Sequence, residues 1–202
     1  MKTFRQFFLE SLKDTAVFAY GRYNPPTIGH MKLVEIVVNT AKKNNSDYLI
    51  VPSHSTKPLD KNPLTVQQKI EILKHMIPDS SKVSQIGSTY INTLQKLQEM
   101  GFQNVIQVCG SDREPEFKKL VDMYNGKPDK TGNVPFNFQT FTFVSSGERD
   151  PDSEGVEGMS ASKLRKLAIE GNFEDFKQGM ANSVPEELKQ KTYENLRKIL
   201  VK

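Results

Sequence analysis

Residues 21–30 most constrain the fold, because they join a strand-like segment directly to a helix-like one. The segment before them, Thr15–Tyr20, is short, apolar and β-prone, which predicts a buried strand. The segment after them, from Met31 to about Lys43, repeats apolar residues on one face, which predicts an amphipathic helix. Such a strand-to-helix turn is the first unit of an α/β fold and brings the start of a helix within reach of a ligand.

Three residues of this turn suggest an anion site. Gly21 is expected to allow a sharp turn, and Gly29 to keep the first helical turn bare. The N–H groups and the dipole of that turn attract anions, and His30 adds a further donor. A Gly/Pro turn before a helix is common, so this segment alone leaves the function open.

The rest of the chain alternates strand-like and helix-like segments. Further strands are predicted over 47–51, 83–86, 104–109 and 138–144, and the C-terminal part contains helices over 160–170, 173–180 and 185–201. This order predicts a Rossmann-like three-layer α/β/α domain with a mainly parallel sheet. We assign residues 1–170 to that domain, with an amphipathic helix over 3–12, and residues 171–202 to a helical extension packed on it.

The composition limits which kinds of protein this chain can be and which ligands it suits. The chain has 202 residues, of which 36% are hydrophobic and 26% charged, and no apolar run reaches the length of a membrane span. A single cysteine, Cys109, favours a reducing compartment, so we expect a cytoplasmic protein. Three histidines and one cysteine give too few ligands for a His/Cys metal site. The net charge of +4 suits phosphate ligands, and its scattered distribution argues against nucleic acid.

A second motif lies at residues 159–165. Ser160 is a natural N-cap, Ser162 adds a hydroxyl to the first turn, and Arg165 follows on the same face. By itself the pattern is equally typical of a capped surface helix with a solvated arginine.

The two motifs together resemble the signatures of the (H/T)xGH nucleotidyltransferase superfamily, which includes cytidylyltransferases and nicotinamide-mononucleotide adenylyltransferases. The first is Thr27-Ile28-Gly29-His30, and the second resembles I-S-S-T-x-I-R with a departure at Ala161. Gly110-Ser111-Asp112 resembles a G-x-D segment of the adenylyltransferase branch. The segments 21–27, 53–55, 62–64, 158–160 and 173–180 are similar to small nucleotidyltransferases of tailed bacteriophages.

The resemblance implies transfer of a nucleotide, AMP or CMP with AMP favoured, from an NTP to a phosphorylated acceptor with release of pyrophosphate. Mg²⁺ would accompany the NTP, and we expect no metal held by the protein and no membrane partner. A phage-encoded protein would act in the cytoplasm of its bacterial host.

The resemblance also implies roles for individual residues. His30 would donate to the α- and β-phosphates, Thr27 would add a hydroxyl, and Arg165 would hold the β- and γ-phosphates. The other implied nucleotide-binding residues are Gly21, Arg22, Gly29, Asp112, Ser160 and Ser162. Lys57 and Arg22 are the candidates for contacting the acceptor.

Three alternatives stay open at this point. One is a nicotinamide-mononucleotide adenylyltransferase of NAD synthesis, which Asp112 favours. Another is a phage nucleotide-binding or assembly protein without catalytic activity, which the departure at Ala161 favours. The last is a fragment of a class I aminoacyl-tRNA synthetase, ranked lowest because the chain is short for an anticodon domain.

Overall fold

A computed structural model describes residues 14–147 and 159–201, so the predicted helix over 3–12 lies outside the described residues. Four strands form one parallel sheet in the order β2-β1-β3-β4. They are β1 (Thr15–Gly21), β2 (Asp47–Pro52), β3 (Asn104–Cys109) and β4 (Thr140–Ser145). Parallel pairing places the carboxyl ends of all four strands at one edge of the sheet.

Seven α-helices connect and follow the strands in the described part of the chain. They are α1 (His30–Lys43), α2 (Val66–Leu73), α3 (Tyr90–Glu99), α4 (Glu114–Tyr124), α5 (Ala161–Glu170), α6 (Phe173–Gln178) and α7 (Glu186–Leu200). Their ends follow the local sequence: Thr65 and Gln68 form a capping box, Ser160 caps α5, and Gly171 ends α5 at a φ of 81°.

Helices cover both faces of the sheet, which confirms the predicted α/β/α class. Because side chains alternate along a strand, Val17 and Ala19 face a core shared with α1, α2 and the C-terminal helices. Ala16 and Phe18 face the opposite core, shared with α3 and α4. None of the described helices is long and apolar enough to cross a membrane.

The C-terminal helices close the first of these cores. Leu164 of α5, Phe176 of α6 and Leu196 of α7 are fully buried in the same cluster as Val17 and Val37. Arg197 of α7 donates from Nη1 to the carbonyl of Ala168 at 2.7 Å. These helices therefore carry the second motif against the sheet, while the boundary at residue 170 stays a prediction.

One predicted strand is wrong. Residues 83–86 form no strand and make only a bridge between Val83 and Ile50. Farther along this segment, Gly87 packs closely on α3, where an added Cβ would lie 2.5 Å from the main-chain nitrogen of Thr93.

Candidate functional site

The site lies at the carboxyl edge of the sheet, where the chain turns to opposite faces. From β1 the chain enters α1 on one face, and from β3 it enters α4 on the other. Crevices at such a switch point are the usual ligand sites of open α/β sheets. The Gly21–His30 turn occupies this position, and the N–H of Ser53 donates to the Gly21 carbonyl at 2.7 Å, which ties the ends of β1 and β2 together.

His30 is held by its own turn. Its Nδ1 accepts the main-chain N–H of Thr27 at 3.0 Å and lies 2.9 Å from the Thr27 hydroxyl. The ring of Tyr23 packs on the imidazole with a centroid distance of 4.9 Å. Because Nδ1 accepts a hydrogen bond from a fixed N–H, the proton of the neutral imidazole lies on Nε2. His30 is thus oriented to donate through Nε2.

The Thr27 side chain faces His30. Thr27 is only 1% exposed, and its hydroxyl, which donates to the unprotonated Nδ1, is part of the imidazole's support. The resemblance implies that Thr27 adds a hydroxyl to the site. In the structure this hydroxyl contacts His30, and its role toward a nucleotide stays a prediction.

Gly21 is required for a reason other than the one expected. It ends β1 without a positive φ, and an added Cβ would lie 2.9 Å from Cε2 of Tyr23. Tyr23 is 2% exposed and has the left-handed φ of 46°, which a non-glycine residue adopts at some cost. The missing side chain at Gly21 therefore makes room for the ring that supports His30.

The expectation of open N–H groups at the turn into α1 is wrong for three donors. The N–H of Ile28 donates to the Gly179 carbonyl at 2.9 Å, His30 to Thr27 at 3.0 Å, and Met31 to Ile28 at 2.9 Å. Gly29 is exposed with a helical φ of −61°. An anion at this turn would therefore depend more on side-chain donors than the sequence suggested.

Arg165 brings the second motif to the first. Its Nη1 donates to the main-chain carbonyl of Asn24 at 2.7 Å, and its Nη2 donates to the Ser162 hydroxyl at 3.1 Å. Ser160 accepts the N–H of Lys163 at 3.1 Å as the N-cap of α5. The predicted proximity of Arg165 to the Gly21–His30 turn is therefore present in the structure.

Positive charge accumulates beside this contact. Burial lowers the pKa of the Arg165 guanidinium, and the nearby charge of Arg22 lowers it further, while Asp60 opposes the shift. Arg22 itself is exposed. Arg22 and Arg165 are close enough to repel each other, and a bound anion would reduce this repulsion.

Two predicted site residues, Asp112 and Lys57, lie on exposed loops. Asp112 is exposed in the turn after β3, and Lys57 is exposed on the loop between β2 and α2. Both lie beyond the carboxyl end of a strand, yet among the described residues no hydrogen bond or ion pair joins either to His30 or Arg165.

Asn24 and Gly179 support the site and were missed by sequence reasoning. The Asn24 side chain accepts a hydrogen bond from the N–H of Leu64, and the Asn24 main-chain carbonyl accepts one from Arg165. A Cβ on Gly179 would lie 2.6 Å from Cδ2 of Leu164 and 2.7 Å from Cγ of Met159. The only signals in the sequence were the Asn-Pro-Pro segment and the glycine of residues 173–180.

A buried lysine was also missed. Lys69 of α2 is fully buried, donates from Nζ to the Ser53 carbonyl at 2.5 Å, and burial lowers its pKa to about 8. Burial and the neighbouring Lys69 charge also lower the pKa of His54. Lys69 thus fixes the end of β2 beside the Gly21–His30 turn. The only sign of this burial in the sequence was a lysine on the otherwise apolar face of α2.

Comparison with known proteins identifies the family. The model of the cytidylyltransferase-like family matches residues 18–167. The chain belongs to the cytidylyltransferase-like family. The match includes both motifs, from the end of β1 to Arg165 of α5, and it confirms the nucleotidyltransferase class expected from the sequence. No curated protein matches the chain significantly.

A solved structure has the same fold as this cytidylyltransferase-like protein, and a second is reported for its similarity. A nicotinic acid mononucleotide adenylyltransferase from Plasmodium falciparum, complexed with NaAD, has a TM-score of 0.53 at 15% identity, covering 93% of this chain and 96% of its own. A Vibrio parahaemolyticus protein described as a nicotinate-nucleotide adenylyltransferase has a TM-score of 0.48 at 17% identity, covering 88% of this chain and 97% of its own.

Proposed function

We propose that the protein transfers a nucleotide, AMP by preference, from an NTP to a phosphorylated acceptor and releases pyrophosphate. The observation that carries this proposal is the contact between the two motifs, from Arg165 Nη1 to the Asn24 carbonyl at 2.7 Å. It gathers a histidine donor and two arginines at the ligand-binding edge of an α/β sheet.

The proposed reaction is a displacement at the α-phosphorus. An oxygen of the acceptor phosphate forms a bond to that phosphorus, the bond from it to the bridging α–β oxygen breaks, and pyrophosphate leaves with the electron pair. Positioning and charge stabilisation supply most of the catalysis in such transfers. His30 would donate from Nε2 to the bridging or adjacent oxygen, where negative charge grows as the bond breaks.

Arg165 would act on charge that is present before and after the reaction. Its guanidinium, oriented by the Ser162 hydroxyl and the Asn24 carbonyl, suits the β- and γ-phosphates. Arg22 adds a second positive charge nearby. The binding energy of these groups would be shared between substrate and transition state, whereas the contribution of His30 would belong mainly to the transition state.

Mg²⁺ would enter as part of the substrate, as the Mg·NTP complex. Around Arg165, the Arg22 cation and the Ser162 hydroxyl suit phosphate oxygens, and Asp60 is a single nearby carboxylate. The described residues contain no group of three or more His, Cys, Asp or Glu side chains that could hold one. The metal would therefore be held by the NTP phosphates and water, as Mg²⁺ commonly is in nucleotide sites.

A mononucleotide is the second candidate for the acceptor. The solved structure from Plasmodium falciparum is of a nicotinic acid mononucleotide adenylyltransferase. A mononucleotide carries the phosphate that the general proposal requires. We also propose the cytoplasm as the site of action, while the origin from a phage rests on the sequence resemblance alone.

The test is a panel assay for pyrophosphate release. The protein is incubated with each NTP, Mg²⁺ and phosphorylated acceptors that include mononucleotides and sugar phosphates. Acceptor-dependent release is expected, with ATP as the best donor, and ATP with Mg²⁺ should raise the Tm by binding the native state. A Tm that no NTP shifts, together with no release from any pair, would refute the proposal.

A further inference from the structure

Asn24 joins three separate segments of the site. Its side-chain Oδ1 accepts the N–H of Leu64 at 2.9 Å, and its Nδ2 donates to the carbonyl of the same residue at 3.4 Å. Its own carbonyl accepts from Arg165. Because Asn24 is only 2% exposed, these contacts are shielded from competing water. One residue therefore connects the Gly21–His30 turn to the end of the 53–64 loop and to α5.

The 53–64 loop is anchored at both ends and exposed in the middle. Its first residue is held by the Gly21 carbonyl and by Lys69, and its last, Leu64, by Asn24. Residues 55–61 between these anchors are exposed. They include Lys57, the candidate acceptor contact, and Asp60, whose charge acts on Arg165. Asn24 thus links the Arg165 side of the site to the C-terminal end of the loop, while the Gly21 carbonyl holds the other end.

We propose that Asn24 is a positioning residue that couples the two substrate sites. NTP bound at Arg165 fixes the guanidinium on the Asn24 carbonyl. Because the Asn24 side-chain amide is hydrogen-bonded to Leu64, fixing Asn24 also reduces the motion of the 53–64 loop. The inference rests on the proposed function for the identity of the substrates. Coupling between two ligand sites requires one structural element whose conformation is shifted by the ligand at either site. Here that element is the Asn24 side-chain amide.

We call the pair of hydrogen bonds between the Asn24 side chain and the main chain of Leu64 the Asn24 clamp. The chain contains a matched control for it. Asn125 makes the same pair of hydrogen bonds with Phe138, accepting its N–H at 2.8 Å and donating to its carbonyl at 3.2 Å. Asn125 follows the end of α4 and Phe138 precedes β4, so this clamp lies at the opposite edge of the sheet. Asn24→Ala and Asn125→Ala therefore remove the same interaction type from the site and from a remote position.

The experiment is amide hydrogen exchange on wild type and both variants, with and without Mg·ATP, after titration has shown nucleotide binding. In wild type and N125A, ATP should slow exchange over residues 53–64 by about fivefold or more, the lower end of typical coupling. In N24A the loop should exchange faster without nucleotide, and protection by ATP should fall below about twofold. In turnover, N24A should raise the KM for both substrates and N125A for neither.

Retained ATP protection in N24A would overturn the proposal, as would an unprotected loop in nucleotide-bound wild type. A rise in only one of the two KM values would also contradict it. Should N24A fail to fold, Asn24→Asp keeps the acceptor for the Leu64 N–H and should show a partial loss of protection. If ATP does not bind the wild type at all, the proposed function fails instead, while faster loop exchange in nucleotide-free N24A is still expected from the clamp.

Discussion

Replacing Thr27 by valine tests how the site orients His30. The two side chains have nearly the same shape, so the variant removes the 2.9 Å contact between the hydroxyl and Nδ1 without leaving a cavity. Nδ1 keeps the main-chain N–H of residue 27 at 3.0 Å, so it is not left unsatisfied. The loss is therefore one net hydrogen bond, about 0.5–1.5 kcal/mol of unfolding free energy.

This loss has a thermal and a kinetic consequence. About 1 kcal/mol corresponds to a Tm lower by roughly 2–4 °C in a chain of this size. If the whole loss appeared in the transition state, kcat would fall by roughly two- to thirteenfold, because 1.36 kcal/mol is a factor of ten. The KM for NTP should stay within about twofold, since the hydroxyl of Thr27 supports the donor and not the bound phosphates.

The assay is steady-state pyrophosphate release beside a thermal unfolding curve. Thr27→Ser is the control, because it keeps the hydroxyl and loses a buried methyl; it should lose stability by about 1 kcal/mol and keep its kcat. A loss of 10²-fold or more in Thr27→Val with an unchanged Tm would refute the reasoning. That result would mean that the hydroxyl acts on the substrate directly.

Three further perturbations test other parts of the site. His30→Ala should lower kcat by about 10²–10³ with little change in nucleotide affinity, whereas Arg165→Ala should also raise the KM for NTP; equal effects on both parameters in both variants would contradict the assigned roles. Gly21→Ala should cost about 1–3 kcal/mol in urea unfolding, because its Cβ would meet the buried ring of Tyr23 at 2.9 Å, and an unchanged midpoint would show that the ring moves freely. Lys69 has a pKa of about 8 in the folded protein against 10.5 unfolded, so the unfolded state binds the extra proton between these pH values and wild-type stability should rise across that window. The free energy of unfolding of Lys69→Met relative to wild type should accordingly be higher at pH 7 than at pH 10, by about 2 kcal/mol, and a pH-independent difference would contradict a charged buried lysine.

Local sequence signals predicted most of the fold. The apolar run of β3 was predicted with the bounds that the structure has, Asn104–Cys109, and Ser160 caps α5 as predicted. The predicted strand at 83–86 failed because a strand needs a continuous partner, and of these four residues Val83 alone bridges to Ile50. Periodicity within a segment contains no such information.

The site was predictable in its residue types but not in their contacts. Spacing located the two motifs, because phosphate chemistry needs donors at fixed places on the turn and on the helix start. Spacing could not show that Arg165 donates to a carbonyl 141 positions away, or that the Ile28 N–H turns inward to Gly179. Those contacts arise from the packing of α5 and α6 on the sheet.

The central claim is nucleotidyl transfer, and the most direct test follows the label of each phosphate. Parallel reactions contain ATP labelled at the α- or at the γ-phosphate, the acceptor that gives the highest pyrophosphate release, and Mg²⁺. The account predicts that α-label enters the acceptor product in a 1:1 ratio with released pyrophosphate, and that γ-label is recovered only in pyrophosphate. Transfer of γ-label to the acceptor, or release of pyrophosphate with no α-label in the product, would contradict it.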